Sequence, residues 1–445
     1  MKVSIIGTGY VGLVTGVCLA EKGHYSICVD VDQEKVDKIN GSIPPVHEKG
    51  LEDLLRKNIH KRLEATTDLS NAVLSTEMTL IAVGTPFDGN NIDLSSIQEV
   101  SWQIGKVLKN KLTYHLVAVK STVVPGTTDQ IVLPLLEAAS GKKAGIDFGV
   151  GMNPEFLTEG EAIQDFMCPD RIVLGGIDEK SLQVLEQLYS VFEGVEQVRT
   201  NNKTAEMIKY TSNALLATMI SFSNEIGNLC ATMGGSDIVD VMRGLHLSRY
   251  LSPVLPNGDR IVAPISAFLW AGCGFGGSCL PKDVRALMAH GEKAGRPMRL
   301  LDAVMRINAE QHLEIFSLLH THFPCLKGIR VTVLGVAFRP DTSDMRESPA
   351  LPIIQGLLAQ EAQVKVYDPV AKPETDKTFE LDTIMICESL AEAIEDTQAI
   401  ILATAWQEFK QIPALLRHLK PQPVFIDGRR MLNKSSMARY QGIGL

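Results

Sequence analysis

The feature that most constrains this chain is its opening stretch, MKVSIIGTGYVG. A β-branched run from Val3 to Ile6 predicts a strand, and the residues after the last glycine follow a helical pattern. Between them, Gly7, Gly9 and Gly12 have the spacing G-x-G-x-x-G. In such a turn the first glycine permits a tight bend, the second lets the backbone approach a pyrophosphate, and the third allows close helix–strand packing. This context predicts a dinucleotide-binding βαβ unit; glycines that serve packing alone are the alternative.

An acidic residue follows at the position where such a unit binds a ribose. The second strand, Ile27 to Val29, ends at Asp30, and an acid about 20 residues after the glycines binds the ribose hydroxyls in these folds. A carboxylate repels a 2′-phosphate, and the surrounding sequence VDVDQE contains no arginine to accommodate one. NAD is therefore favoured over NADP as the cofactor.

Strand and helix patterns alternate up to about residue 200. A mainly helical region follows, and then a second region of alternating strands and helices. Further strand-like runs before residue 200 are 78–84, 115–122, 148–155 and 171–176, with helical patterns between several of them. A long apolar helix begins at about Thr204, and a proline-containing irregular segment follows it. A second βαβ unit runs from Ile329 to Asp368, although its turn GVAFRPD lacks the full glycine pattern.

These patterns predict an α/β protein with two Rossmann-like, doubly wound parallel-sheet domains joined by a central long-helix domain. The expected boundaries are 1–200 for the NAD-binding domain, 201–325 for the central helical domain and 326–445 for the second sheet domain. A second nucleotide-type domain suggests that the substrate itself carries a nucleotide. A helix that is apolar on most sides is buried, either under other domains or in a subunit interface.

Composition argues against several classes of partner. The net charge of −9 comes without a cluster of lysines and arginines, which argues against nucleic acid and anionic membranes. There is no run of eighteen apolar residues and no leader pattern, so no membrane span or export is expected. The eight cysteines are scattered, which predicts free thiols in a cytoplasmic protein. No metal site is expected, because no defined ligand set occurs.

One cysteine has a distinctive context, the stretch GFGGSCLPKD around Cys279. Pro281 suits the first position of a helix, where its missing N–H costs nothing. Cys279 then lies just before the helix, where the dipole favours the thiolate, and the preceding glycines let a substrate approach the backbone. A small inert hydrophobe is the alternative for this thiol. Asp283, in the first helical turn, either complements the dipole or takes part in proton transfer.

Polar residues elsewhere are candidates for oxyanion and acid–base roles. Lys209 and Asn213 are four residues apart on the long helix and therefore share a face. There they either stabilise an oxyanion or form a solvated stripe. Glu155 follows a strand and Glu159 lies four residues later. Both are candidate general bases, although surface carboxylates are common.

A hydride acceptor and an activated thiol together define a class of reaction. Oxidising an alcohol to an aldehyde needs only NAD and a base. Oxidation onward to the acid needs a covalent thiohemiacetal, from which a second hydride leaves to give a thioester. Water then hydrolyses the thioester. The thiol therefore indicates a four-electron oxidation of an alcohol to a carboxylate.

Short motifs run through nearly the whole chain: GTGYVG, VGTP, KSTVVPGTT, NPEFLTEG, PDRIVLG, AEMIKYTSNA, GFGGSCLPKD, GVAFRPDTSDMRES and DGRR. In this ordered set the chain resembles the nucleotide-sugar 6-dehydrogenases, a family that includes UDP-glucose and GDP-mannose 6-dehydrogenases. The resemblance implies NAD as cofactor, a nucleotide sugar as substrate and a homodimer formed through the long central helix.

The resemblance also implies roles at matching positions. The catalytic residues it implies are Cys279 as nucleophile, Lys209 and Asn213 as the oxyanion-stabilising pair, Asp283 as a partner in positioning water or a proton, Glu155 for thioester hydrolysis and Thr122 for holding a catalytic water. The cofactor-binding residues it implies are Gly7, Gly9, Tyr10, Val11, Gly12, Asp30, Lys35, Thr85, Thr122, Glu159 and Arg346. The substrate-binding residues it implies are Glu155, Phe156, Leu157, Lys209, Asn213, Phe268, Leu269, Gly274, Phe275, Arg339 and Arg429.

Departures from the family pattern concern the parts of the chain that would recognise the sugar and the nucleobase of the substrate. PDRIVLG and EKGLEDLL resemble the UDP-glucose branch, whereas LHLSRYLSP and CLPKDVRALM resemble the GDP-mannose branch. Ala263 and Trp270 fall where UDP-glucose enzymes usually carry basic residues, and Arg339 stands where a lysine is usual. The leading hypothesis is oxidation of UDP-glucose to UDP-glucuronate, with GDP-mannose or another nucleotide sugar as the alternative. A two-electron β-hydroxyacid dehydrogenase and a non-catalytic nucleotide-sugar sensor are the further alternatives.

Overall fold

Two sheets organise the chain. In a computed structural model, which describes residues 1–372, 378 and 383–445, the chain divides into the units Met1–Ser212 and Asn213–Leu445, with one sheet in each. The predicted fold class, two Rossmann-like sheets and a long central helix, is confirmed. The finer division into three domains stays a prediction.

The first unit contains eight strands: β1 Lys2–Ile6, β2 Tyr25–Val29, β3 Leu63–Thr66, β4 Met78–Ile81, β5 Leu116–Val119, β6 Gly149–Met152, β7 Arg171–Gly176 and β8 Glu196–Thr200. They form one sheet in the order 3-2-1-4-5-6-7-8. The first six have the strand order of a doubly wound dinucleotide-binding fold, in which ligands bind where the order reverses, here between β1 and β4. The patterns do not predict β3 and β8, whose sequences are short and largely polar.

One pair of strands departs from the parallel arrangement that the sequence predicts. β6 and β7 run antiparallel and pair at Gly151–Gly176 and Met152–Gly175. A Cβ atom added at Gly151 would lie 2.9 Å from the Gly175 carbonyl oxygen, so this glycine lets the strands approach closely. An apolar run predicts a strand but not its direction, which depends on where the connecting segment returns the chain.

Helices flank this sheet and continue into the second unit. The helices of the first unit are α1 Tyr10–Glu21, α2 Gln33–Asn40, α3 Leu51–Asn58, α4 Leu69–Ser75, α5 Ser95–Leu108, α6 Leu133–Ser140, α7 Ala162–Met167 and α8 Glu179–Tyr189. The long predicted helix is α9, Asn202–Met233, and the division between the units falls within it. No helix among the described residues combines the length and apolar character needed to span a bilayer.

The second unit repeats the topology of the first six strands of the first unit. Its strands are β9 Arg330–Leu334, β10 Gln363–Tyr367, β11 Met385–Ile386, β12 Ala399–Leu402, β13 Val424–Asp427 and β14 Tyr440–Gly442, all parallel and in the order 11-10-9-12-13-14. Its helices are α10 Ile238–His246, α11 Leu280–Lys293, α12 Arg299–Glu310, α13 Leu313–His320, α14 Ala350–Ala359, α15 Leu390–Ile394 and α16 Ile412–Leu416. The strand order again reverses beside the first strand, between β9 and β12.

A buried carboxylate, Asp368, fixes the turn after β9. Its Oδ2 accepts the backbone N–H groups of Val336 and Ala337 at 2.7 and 3.0 Å and the indole N–H of Trp406 at 3.1 Å. Its Oδ1 accepts two further backbone N–H groups at 2.9 Å each. Five donors therefore depend on one side chain that is 5% exposed.

We predict that Asp368→Ala lowers the free energy of unfolding by about 3 kcal/mol, because five N–H donors lose the carboxylate that accepts them. Urea denaturation of the purified variant measures this loss. The control is Asp240→Ala, at an exposed position on α10, which should cost less than about 1 kcal/mol. Equal effects of the two substitutions would contradict the role of Asp368.

Candidate active site

The turn between β1 and α1 leaves room for a ligand at one glycine. Gly7 has a φ of +101°, and a Cβ there would lie 2.7 Å from the Ala82 carbonyl oxygen. A Cβ at Gly12 would lie 1.9 Å from the Gly7 oxygen, whereas at Gly9 it would meet no atom within 4 Å. This open space adjoins the start of α1, where the first backbone N–H groups have no acceptor within the helix. It suits a pyrophosphate, which such helix ends bind; Tyr10 and Val11 are the first two helical residues.

Asp30 is held in place at the end of β2. Its Oδ2 accepts the backbone N–H and the hydroxyl of Thr8 at 2.9 and 2.6 Å, and its Oδ1 accepts the Asp32 N–H at 3.0 Å. The Lys35 ammonium lies 3.9 Å from Oδ2. Burial raises the pKa of Asp30, but the hydrogen bonds and Lys35 outweigh it and hold that pKa below its ordinary value. A fixed, ionised carboxylate suits ribose hydroxyls, so the turn and Asp30 together fit NAD.

Other predicted cofactor residues gather in the same unit. The Thr85 hydroxyl donates to the Thr122 carbonyl oxygen at 2.8 Å, which joins the segments after β4 and β5 beside the switch point. The Tyr10 hydroxyl donates to Glu48, and the Gly160 N–H donates to Glu48 Oε2 at 2.8 Å. This contact fixes the segment next to Glu159. Glu48 is a buried residue that was not predicted from the sequence. It is the first residue of the motif EKGLEDLL, which could have marked it as a candidate.

Glu155 and Lys209 form a buried ion pair. Lys209 Nζ lies 3.1 Å from Glu155 Oε1, and the side chains are 5% and 6% exposed. The Leu157 N–H donates to Glu155 Oε2 at 2.6 Å. Burial raises the pKa of Glu155, but Lys209, the Leu157 N–H and Lys120 outweigh it and keep that pKa below its ordinary value. An ionised carboxylate at this depth can accept a proton from water, as a general base must.

An aromatic ring lies close to two cations beside this pair. The Phe156 ring has the Arg171 guanidinium 4.0 Å and the Lys209 ammonium 5.4 Å from its centroid. Cations over a ring face are attracted by its quadrupole. The ring therefore helps to orient Lys209, and the structure brings the predicted residues 155, 156, 157 and 209 together.

In the second unit, Cys279 is the N-cap residue of α11, and its thiol is half-buried. The Ser278 hydroxyl oxygen lies 3.5 Å from Cys279 Sγ. Leu280 is the first helical residue and Pro281 the second, so the proline lies one position later than the sequence predicts. The thiol still lies at the positive end of the helix dipole, where a thiolate is stabilised.

The glycines before Cys279 are required by packing within the second unit. A Cβ at Gly276 would lie 2.1 Å from the Glu347 carbonyl oxygen, and one at Gly277 would lie 2.7 Å from the Phe338 ring. At Gly274 it would lie 2.8 Å from Asn308 Oδ1. The protein's own atoms therefore fill the space that a side chain would take at these positions. The expectation that these glycines let a substrate approach the backbone stays a prediction.

Asn213 and Asp283 are brought together by this unit. The Asn213 amide donates to Asp283 Oδ2 at 2.6 Å, and Lys282 Nζ lies 2.6 Å from Asp283 Oδ1. Asp283 is 1% exposed, so it does more than complement the helix dipole at the surface. Lys209 and Asn213 share a helix; Lys209 pairs with Glu155 and Asn213 with Asp283. Their role as an oxyanion-stabilising pair stays a prediction. Lys282 is a further residue that the sequence analysis missed.

A loop before Cys279 is tied to the second sheet. The Arg429 guanidinium donates to the carbonyl oxygens of Ala403 at 2.6 Å and Gly274 at 2.9 Å. The Asn308 side chain accepts the Phe275 N–H at 2.8 Å and donates to its carbonyl oxygen at 3.0 Å. Arg429, Gly274 and Phe275 thus lie in one connected region, in which Asn308 was not predicted.

The remaining predicted residues are placed as follows in the second unit. Phe268 is half-buried and Leu269 is buried, with the His246 ring hydrogen-bonded to its carbonyl oxygen at 3.1 Å. Arg339 follows β9 and is half-buried. Arg346 is an exposed residue whose guanidinium donates to Asp344 at 2.6 Å. The substrate and cofactor roles of these residues stay predictions.

Comparison with known proteins identifies the class. The UDP-glucose/GDP-mannose dehydrogenase family matches in three parts: its NAD binding domain at residues 1–193, its central domain at 203–310 and its UDP binding domain at 332–434. The chain is 38% identical to UDP-glucose 6-dehydrogenase AglM of Haloferax volcanii over 100% of both proteins. It is 39% identical to GDP-mannose 6-dehydrogenase of Pseudomonas syringae pv. syringae over 83% of this chain and 81% of that protein.

A solved structure extends the likeness to the whole fold. A UDP-glucose dehydrogenase from the hyperthermophilic archaeon Pyrobaculum islandicum has a TM-score of 0.90 and 33% identity, with 100% of this chain and 97% of that chain covered. The fold and the nucleotide turn define an NAD-dependent oxidoreductase. The chain belongs to the UDP-glucose/GDP-mannose dehydrogenase family, whose members are NAD-dependent nucleotide-sugar dehydrogenases.

We predict that Gly9→Ala weakens NAD binding by about tenfold or more without lowering the melting temperature, because its Cβ occupies space left for the pyrophosphate. Gly12→Ala should instead destabilise the fold, because its Cβ would overlap the Gly7 carbonyl. Isothermal titration with NAD and thermal unfolding separate the two effects. If Gly9→Ala bound NAD as tightly as the unsubstituted protein, the assignment of this turn would be wrong.

Proposed function

We propose that this protein oxidises UDP-glucose to UDP-glucuronate through a covalent intermediate on Cys279. The observation that carries the chemistry is the half-buried thiol at the N-cap of α11, with the buried Asn213–Asp283 hydrogen bond in the same unit. The choice of UDP-glucose is supported by the likeness to proteins named for that substrate, in sequence at 38% identity and in structure at a TM-score of 0.90.

The proposed reaction balances over two oxidations and one hydrolysis. NAD, which the turn at Gly9 and Asp30 would hold, would supply the hydride acceptor for each oxidation. The C6 alcohol first becomes an aldehyde with loss of a hydride and a proton. The Cys279 thiolate then adds to the carbonyl carbon, and the carbonyl oxygen takes up a proton to give a thiohemiacetal. Loss of the second hydride and the hydroxyl proton from that adduct gives a thioester. Water cleaves the carbon–sulfur bond, which releases the carboxylate and restores the thiolate. Overall, one alcohol, one water and two NAD give one carboxylate, two NADH and three protons.

Buried side chains in each unit suit the remaining steps. We assign Glu155 as the general base that takes the proton of the attacking water, since its carboxylate is ionised and buried. Lys209 and Asn213 are assigned to the oxyanion that develops at the substrate carbon. Asp283 orients the Asn213 amide, and Thr122 is assigned to holding the water.

We assign the nucleotide end of the substrate to the second sheet. Arg339 and Arg429 follow β9 and β13 at the carboxyl edge of that sheet, where open α/β sheets bind their ligands. The guanidinium of Arg429 already orders the loop at Gly274. We assign Phe268, Leu269 and Phe275 to the sugar, and Glu159 and Arg346 to the cofactor.

GDP-mannose is the second candidate substrate. A GDP-mannose 6-dehydrogenase is 39% identical over most of the chain, so sequence identity does not separate the two sugars. Ala263, Trp270 and Arg339 differ from the residues usual in UDP-glucose enzymes. They lie in the region where the sugar and the nucleobase would be recognised. The candidates share the thiol chemistry and differ only in what the second unit binds.

We predict two NADH per UDP-glucose consumed, together with one UDP-glucuronate, as the thioester route requires. Absorbance of NADH and chromatography of the nucleotide sugars measure both quantities, with GDP-mannose assayed in parallel. Two NADH per GDP-mannose, with none from UDP-glucose, would keep the mechanism and replace the substrate. One NADH per sugar would refute the thioester, and binding without NADH would favour a sensor.

Cys279→Ala should lower carboxylate formation by more than about 1,000-fold, because the second oxidation loses its nucleophile. The matched control is Cys273→Ala, which removes a buried thiol six residues earlier whose Sγ lies 3.5 Å from the Ala403 carbonyl oxygen. The control should keep two NADH per sugar. Carboxylate formation by the Cys279 variant at the original rate would exclude Cys279 as nucleophile.

We also propose a homodimer formed through α9. Three apolar side chains seven residues apart, Leu215, Phe222 and Leu229, are 49%, 46% and 55% exposed in the single chain. A repeat of seven places these residues in one stripe along the helix, and an exposed apolar stripe indicates a partner surface. A second copy presents the same stripe and is thus self-complementary.

Phe222→Glu should convert the dimer into a monomer at micromolar concentration, because it places a charge in the apolar stripe. Light scattering after size-exclusion chromatography measures the mass. Leu112→Glu, at a fully exposed apolar residue of the first unit, is the control and should leave the mass unchanged. A Phe222 variant that stays dimeric would move the interface elsewhere.

A further inference from the structure

A second buried lysine lies in the first unit, close in structure to Glu155 but absent from the predicted site. Lys120 follows β5 and is 3% exposed. Its ammonium donates to Asn153 Oδ1 at 2.9 Å and lies 3.5 Å from the Tyr189 hydroxyl. No carboxylate of the described residues forms an ion pair with it. The ammonium also lies 6.0 Å from the centroid of the Phe166 ring. Burying a cation among neutral groups is costly, so the position of Lys120 calls for an explanation.

The groups that hold Lys120 are themselves fixed. Tyr189 donates its hydroxyl to Asn153 Oδ1 at 2.5 Å, and the Asn153 amide donates to the Val173 carbonyl oxygen at 3.0 Å. The Asn153 backbone N–H donates to the Val119 carbonyl oxygen at 2.8 Å, next to Lys120 in sequence. Asn153 therefore cannot turn away from the ammonium without losing several hydrogen bonds. It also lies two residues before Glu155, so the network anchors the segment that carries that carboxylate.

The charges around Glu155 make Lys120 its second cation. Lys209 on α9 is the direct ion-pair partner, and Lys120 after β5 is the other cation that stabilises the ionised form of Glu155. Tyr189 on α8 faces Lys120 and is kept neutral because burial raises its pKa. Burial lowers the pKa of Lys120 to about 8, while Glu155 opposes that shift and Lys209 adds to it. At neutral pH the carboxylate is therefore stabilised by two cations.

We propose that Lys120 is a positioning residue for Glu155: its ammonium, fixed by Asn153 and Tyr189, keeps the carboxylate ionised and in place for the attack of water on the thioester. This inference rests on the proposed function, in which Glu155 is the base for hydrolysis. Lys209 cannot supply this effect alone throughout the reaction, because we also assign it to the substrate oxyanion. A second cation that does not contact the substrate keeps Glu155 ionised during that step.

Lys111 provides a contrast in the same unit. It is 5% exposed, and its ammonium donates to three backbone carbonyl oxygens, those of Val73, Leu74 and Thr76, at 2.7 to 2.9 Å. Carbonyl oxygens at the end of α4 are natural acceptors for a cation. Lys111 therefore fixes backbone, whereas Lys209 and Lys120 are the cations that lower the pKa of Glu155. Removing it tests what loss of a buried lysine does to this unit in general.

The test compares Lys120→Met with Lys111→Met in the full chain. Hydrolysis of the covalent intermediate is followed by the pH profile of kcat and by intact-protein mass spectrometry of enzyme quenched during turnover. Removing a positive charge raises the pKa of a neighbouring carboxylate. The acid limb of the profile should therefore move to higher pH by about one unit, and a substrate adduct on Cys279 should accumulate below that limb. Lys111→Met should show neither change, although both variants lose stability.

The results distinguish a failure of the role proposed for Lys120 from a failure of the proposed function. An acid limb and adduct level in Lys120→Met equal to those in Lys111→Met would overturn the inference alone, provided that the unsubstituted enzyme gives two NADH per sugar. One NADH per sugar in the unsubstituted enzyme would overturn the proposed function instead. If Lys120→Met does not fold, Lys120→Gln replaces it, since its amide can still donate to Asn153 without a charge. A shifted limb in Lys120→Gln would support the inference, and an unshifted one would overturn it.

Discussion

The buried ion pair between Glu155 and Lys209 is the interaction on which the site in the first unit depends. Both side chains are almost fully inaccessible, so removing either would leave a buried charge without its partner, at a cost of about 3–5 kcal/mol. The pair joins the segment after β6 to α9. Further along, Glu48 and Tyr10 bind the Gly160 N–H. The segment from 155 to 160 is therefore held at both ends, as the proposed roles of Glu155 as a base and Glu159 as a cofactor contact require.

The first six strands of the first sheet and the six strands of the second have the same order, and an aspartate follows the second strand in each. The two carboxylates differ in how many hydrogen bonds they already accept. Asp30 accepts hydrogen bonds from Thr8 and Asp32 beside a turn with open space at Gly9. Asp368 receives five donors, including the indole of Trp406. The first turn can therefore receive a dinucleotide, whereas the carboxylate of the second is committed to its own turn. A repeated topology thus serves two different roles.

Much of the fold could be read from local patterns. The glycine turn after β1, the acid at Asp30 and the long helix from about residue 204 each depend on neighbours in sequence, and the structure has them where predicted. The direction of β7 could not be read, because an apolar run has no direction. The packing of Gly276 against Glu347 and of Gly277 against Phe338 could not be read either, because these neighbours are about 60 to 70 residues away in the chain.

By itself, the sequence determined the classes of element, the dinucleotide turn and the residue types able to carry a four-electron oxidation, because each follows from short spacings. Only the tertiary structure decided which of the many carboxylates is buried beside cations and which lysines are desolvated. Glu155, Lys209 and Lys120 are separated by tens of residues, and nothing local links them. Burial and the direction of a side chain depend on packing between distant segments, and these properties make an ordinary glutamate a candidate base.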